Sequence, residues 1–159
     1  MSEDEGLEHL VRAYLRAFGP ASWRDIASWA GIGVSDAKRG GDGLALARYR
    51  DEHGRALVDL GGAELPDPET PAPARFLPHW DTNLLVHARR TGLLPEPYRA
   101  RVFSSRNPFS VGTYLVDGRV VGAWSVRDGR IDLDPFEPLK ARSQRAVDHE
   151  RDALEAFHQ

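Results

Sequence analysis

Residues 61–75 read GGAELPDPETPAPAR, with four prolines in fifteen positions. Each proline fixes φ and removes a backbone donor, so neither a helix nor a central strand can run through this stretch. It therefore divides the chain. On its N-terminal side the apolar residues recur with helical spacing, and on its C-terminal side they alternate as strand residues do. The expected organisation is a first module over 1–62, a proline-rich linker over 63–75 and a second module over 76–159.

In the first module Leu7, Leu10, Val11, Tyr14, Leu15 and Phe18 follow one face of an amphipathic helix that Gly19-Pro20 ends. Ser22 and Asp25 have the spacing of a reciprocal cap, which predicts a second helix with Trp23, Ile26 and Ala27 on its apolar side and Gly31 as its stop. Ser35 is placed to cap a third helix from Asp36. Leu46–Arg50 and Ala56–Leu60 read as strands around the turn Asp51-Glu52-His53-Gly54. Three helices in a helix-turn-helix layout plus a hairpin wing predict a winged helix. Gly40, Gly41 and Gly43 count against the third helix, since an interior glycine costs about 0.5 to 1 kcal/mol relative to alanine. Lys38 and Arg39 are balanced there by Asp36 and Asp42.

In the second module Asp81 or Thr82 is placed to cap a helix carrying Leu84, Leu85 and Ala88 and closing at Gly92. Thr113–Val116, Val120–Val126 and Ile131–Leu133 are joined by Asp117-Gly118 and Asp128-Gly129, dipeptides that favour two-residue hairpin turns. They predict a three-stranded antiparallel meander. A last helix is expected from Lys140 to Phe157, with Val147, Leu154 and Phe157 toward one side. The fold class is α+β: an N-terminal winged helix followed by a small antiparallel β-meander or barrel-like module with a C-terminal helix.

Hydrophobic residues at 41% and charged residues at 28% are the proportions of a globular protein. No apolar run approaches the roughly 18 to 20 residues of a membrane span, and the opening MSEDEG is acidic where a secretory signal would be basic. A cytoplasmic protein with no membrane partner is expected. The absence of cysteine excludes disulfides, thiolate zinc sites and cysteine nucleophiles, and no cofactor is expected. The net charge of -3 hides an uneven distribution. Residues 1–74 carry eight basic and thirteen acidic residues, residues 75–130 nine and four, and the remainder four and seven. The basic residues of the middle segment are all arginine, whose guanidinium forks onto phosphate.

Two groups of basic residues are candidates for contact with duplex DNA. Arg48, Arg50, His53 and Arg55 lie on the strands and turn of the wing, where they can touch phosphates or else form a solvated hairpin balanced by Asp51, Glu52 and Asp59. Arg89, Arg90, Arg99, Arg101 and Arg106 form a denser cluster, which can track a DNA backbone or pair with the acidic terminal segments. Asp81 and His87, with His79 nearby, are polar candidates without a recognised metal spacing, and core or capping roles are the simpler reading. There is no glycine-rich phosphate loop after a strand, no serine nucleophile elbow and no paired carboxylates of catalytic spacing.

The segments AYLRAFGPASWRDIASWAGI (13–32), FLPHWDTNLLVHARR (76–90) and YLVDGRVVGAWSV (114–126) resemble, in that order, a bacterial winged-helix family that includes the DNA glycosylases that unhook interstrand crosslinks. The resemblance implies a chain similar to the C-terminal part of such a protein, and Asp81 and His87 fall on a recurrent motif of the family. It also implies that catalysis uses a Gln-x-Gln or similar pair from an N-terminal portion. The glutamines of this sequence, Gln144 and Gln159, cannot form that pair. The expected function is therefore duplex DNA binding, including at damaged DNA, without a complete catalytic site. A divergent DNA glycosylase whose partner chain supplies the missing portion, and a protein-interaction module that has lost DNA binding, are the alternatives.

Overall fold

The computed structural model describes residues 2–86, 88, 91–103 and 110–157. They divide into two compact units: residues 2–67 with Leu85, Val86 and Ala88, and residues 68–84 with the described part of 91–157.

The first unit opens with α1 (Glu3–Phe18), where Ser2 and Glu5 form a capping box and Leu7, Val11, Tyr14 and Leu15 are buried. Helix α2 (Trp23–Ala30) is capped by Ser22 and Asp25 and ends at Gly31 in the left-handed region at φ 67°. The N–H of Ile32 bonds back to the Ala27 carbonyl, which leaves only Ile32 and Gly33 for the turn. Helix α3 (Val34–Gly41) consequently starts before the expected Ser35 cap, with Gly33 in the N-cap position and no side-chain cap.

The glycines of α3 do not unravel it. A Cβ on Gly40 would lie 2.6 Å from the Leu7 carbonyl oxygen, and one on Gly41 would lie 2.4 Å from Cη2 of Trp23. These glycines let α3 approach the α1 backbone and seat the indole, so close packing outweighs their low helix propensity. Strands β1 (Leu46–Arg50) and β2 (Ala56–Leu60) form an antiparallel hairpin with Arg48 opposite Val58 and Arg50 opposite Ala56. Val58 is also bonded through both backbone groups to Ala21, which ties the hairpin to the α1–α2 connection. Asp59, expected among the solvated charges, is instead buried, with its carboxylate against Gly19 and accepting the Leu60 N–H.

The second unit is built on an antiparallel sheet of four strands in the order β3 (Arg75–Leu77), β4 (Gly112–Val116), β5 (Arg119–Arg127) and β6 (Arg130–Pro135). The expected meander thus gains a strand, because Arg75–Leu77 pairs with Thr113–Leu115. Asp117-Gly118 and Asp128-Gly129 turn the chain with φ between 49° and 76°, as primed hairpin turns require. Alternate residues load opposite faces. Leu77 and Val120 join Leu84, Leu94 and Val102, while Tyr114 joins Ala74 and Val147 of α6 (Ala141–Phe157).

The helix predicted to close at Gly92 is α4 (Thr82–Leu85), a single turn. Beyond it the Val86 carbonyl accepts the Tyr14 hydroxyl at 3.0 Å and the Ala88 N–H reaches Asp25, so these backbone groups serve packing in place of an i→i−4 ladder. A 3-10 turn (Glu96–Tyr98) leads into α5 (Arg99–Val102).

Candidate nucleic-acid interface

The face of the hairpin turned toward α3 forms one side of an open groove of about 620 Å³. Trp23, Leu46 and Tyr49 supply apolar lining, and Lys38, Arg48 and Arg50 supply positive charge against one carboxylate, Asp42. Lys38 comes from α3 and the two arginines from β1, whose alternation puts positions 48 and 50 on one face. Among the described residues neither Lys38 nor Arg48 has a hydrogen bond or ion pair, whereas Arg50 donates to the Gly54 carbonyl at 2.8 Å.

The charge balance read along α3 does not hold in space. Arg39 turns away to Glu3, to Asp4 at 3.3 Å and to Asp36 at 3.6 Å. The hydrogen bond to Glu3 is the first cause of its pKa being raised above the ordinary arginine value. Lys38 is left in the groove. Sequence spacing had no means of revealing this, since Glu3 lies 36 positions from Arg39.

The other two hairpin candidates, His53 and Arg55, are tied to the turn. Asp51 accepts the backbone N–H of His53 at 2.9 Å and of Arg55 at 2.8 Å, and it also pairs with the Arg55 guanidinium. Desolvation pushes the Asp51 carboxyl up, but the hydrogen bonds from Arg55 and His53 outweigh it and hold the group below the usual carboxylate value. The His53 ring lies 3.8 Å from Glu52, and neither His53 nor Arg55 lines the groove.

In the second unit Arg99 and Arg101 both sit on α5. The Arg99 guanidinium lies 5.7 Å from the centre of the Phe103 ring. That of Arg101 lies 4.1 Å from the Phe136 ring, 3.1 Å from the Asp134 carboxylate and 3.4 Å from the Phe136 carbonyl. Arg101 is thereby engaged by Asp134 of β6 and by Phe136, which follows that strand. Asp81 accepts the Asn83 N–H at 2.8 Å and caps α4. His79 contacts the Ser110 carbonyl at 2.7 Å. His87, Arg89, Arg90 and Arg106 lie outside the described residues. No group of three or more His, Asp or Glu able to hold a metal ion occurs among the described residues, and none of their helices is long and apolar enough to cross a membrane.

Comparison with known proteins gives a consistent relationship. Over 153 residues, 92% of this chain, the sequence is 26% identical to the interstrand DNA cross-link repair glycosylase of Streptomyces sahachiroi. The fold matches the solved structure of Streptomyces sahachiroi DNA glycosylase AlkZ with a TM-score of 0.74 over 92% of the chain, at 24% identity. The chain spans 41% of the length of that relative. Residues 1–157 match the family described as DNA glycosylase AlkZ-like. The chain belongs to the AlkZ-like DNA glycosylase family.

Proposed function

We propose that this protein binds duplex DNA by its phosphate backbone, within a repair role of the kind its family name denotes, and does not itself carry a complete catalytic site. In this reading the first unit is a winged helix, α1 to α3 with the β1–β2 hairpin as the wing, and the groove between α3 and the wing follows a DNA strand. The observation that carries the reading is the convergence of Lys38, Arg48 and Arg50 on one groove, with Lys38 and Arg48 unpaired among the described residues. Buried or paired arginines explain themselves by packing, whereas three cations held side by side against the single carboxylate of Asp42 gain most from a polyanion.

Fluorescence anisotropy of a labelled duplex over a salt series tests it. Micromolar binding at low salt is expected, and a Lys38→Ala/Arg48→Ala/Arg50→Ala variant should weaken it and reduce the salt slope by about three, one for each phosphate no longer neutralised. No binding by the wild type at low salt would overturn the reading.

A second reading follows from the alignment of this chain with 41% of a repair glycosylase. Here the protein is the DNA-holding part of a glycosylase whose partner chain brings the glutamine pair. Base release from damaged duplex by the chain alone would contradict both readings.

A further inference from the structure

Trp80 is the tryptophan that the fold does not use. Trp23 is packed against Gly41, Trp124 donates its indole N–H to the Leu77 carbonyl at 2.9 Å, and Trp29 leans on the Tyr14 ring at 5.4 Å between centres. Trp80 is 48% exposed, and among the described residues its indole has neither a ring contact nor a hydrogen bond. Its backbone is held at φ 58°, a region that bulky residues avoid. The segment is fixed from several sides. The Trp80 N–H donates to the buried Ser110 hydroxyl at 2.6 Å, and the preceding His79 ring contacts the Ser110 carbonyl. On either side, Leu77 is pinned by Trp124 and Asp81 caps α4.

A strained residue survives where its surroundings over-determine it, and such positions concentrate at functional sites. Here the strain presents a large flat ring to solvent. Thr82 and Asn83, which follow it closely in the sequence, are exposed and polar. A single rigid aromatic face suits one flat aromatic ligand. Given DNA as the partner, which rests on the function proposed above, we infer that Trp80 is a stacking platform for a nucleobase displaced from a distorted duplex.

The test compares two labelled duplexes, one fully paired and one carrying a single unpaired adenine, with the whole chain and its Trp80→Ala and Trp80→Phe variants. The wild type is expected to bind the bulged duplex about tenfold more tightly, as one base stacked on an aromatic ring provides. Trp80→Ala should abolish that preference without changing affinity for the paired duplex, and Trp80→Phe should keep most of it. Equal binding of both duplexes with a steep salt dependence would overturn the Trp80 assignment while leaving phosphate contact intact. Retention of the preference in Trp80→Ala would also overturn it, and no binding of either duplex would overturn both proposals.

Discussion

One carboxylate oxygen of Asp25 accepts the backbone N–H of Ala88 at 3.0 Å while the other closes the capping box with Ser22. A single side chain thus starts α2 and anchors a segment 63 positions away. Removing it deletes a cap and leaves a half-buried N–H unpaired, effects of about 1 kcal/mol each. Asp25→Ala is expected to lower stability by about 2 kcal/mol and Asp25→Asn by about half as much. Urea denaturation followed by tryptophan fluorescence checks this, and a loss no larger in Asp25→Ala than in Ser22→Ala would show that the Ala88 bond contributes nothing.

Two glycines in helices of the first unit should respond to alanine with opposite signs. A methyl on Gly40 meets the Leu7 carbonyl oxygen at 2.6 Å, while nothing lies within 4 Å of the corresponding position at Gly6. Overpacking against backbone costs about 1 to 3 kcal/mol, and helix propensity returns at most about 1. Gly40→Ala should therefore destabilise by about 1 to 2 kcal/mol and Gly6→Ala stabilise by about 0.5 to 1 kcal/mol. Thermal melts of the two variants separate close packing from propensity; equal shifts would contradict the α1–α3 contact.

Much of the fold is legible in the sequence where local signals and tertiary packing agree. The apolar spacing of Leu7 to Leu15, the Ser22–Asp25 cap and the hairpin dipeptides each specify an element locally, and the same elements occur. Arg75–Leu77 escapes because three residues behind a run of prolines show no period; pairing with Thr113–Leu115 makes them a strand. Helix α4 is overestimated because the bonds from Tyr14 and Asp25 that divert Val86 and Ala88 come from distant positions. The candidate interface is half legible. Strand alternation places Arg48 and Arg50 together, but which of Lys38 and Arg39 remains free depends on acids of α1.

Alkaline pH should report on Tyr114. Burial, with Asp134 and Asp148 adding to it, pushes its hydroxyl up to about 12 from an ordinary value of 10.0. A folded pKa above the unfolded one means that the neutral phenol favours the folded state. That contribution is complete below about 10 and is lost as pH rises from 10.0 to about 12. Wild type should therefore lose stability faster than Tyr114→Phe as pH rises through that window, measured by urea midpoints at each pH. Parallel curves for the two proteins would rule out the buried phenol as the source.

Arg101 and Arg48 provide the sharpest contrast between arginines that build the protein and arginines that meet a partner. The Arg101 guanidinium covers the Phe136 ring at 4.1 Å and pairs with Asp134, so its replacement removes intramolecular contacts. An exposed cation–π contact contributes about 0.5 to 1 kcal/mol and a surface ion pair about as much or less. Arg48 has no ion pair among the described residues and faces the groove with Lys38. Arg101→Ala is thus expected to destabilise by about 1 kcal/mol and leave DNA affinity within about twofold. Arg48→Ala should leave stability within about 0.5 kcal/mol while weakening binding severalfold and lowering the salt slope by about one. The paired measurement is denaturation and anisotropy on the same protein stocks. If Arg101→Ala weakens DNA binding more than Arg48→Ala does, the interface belongs on α5, and the groove beside the hairpin is a solvated surface.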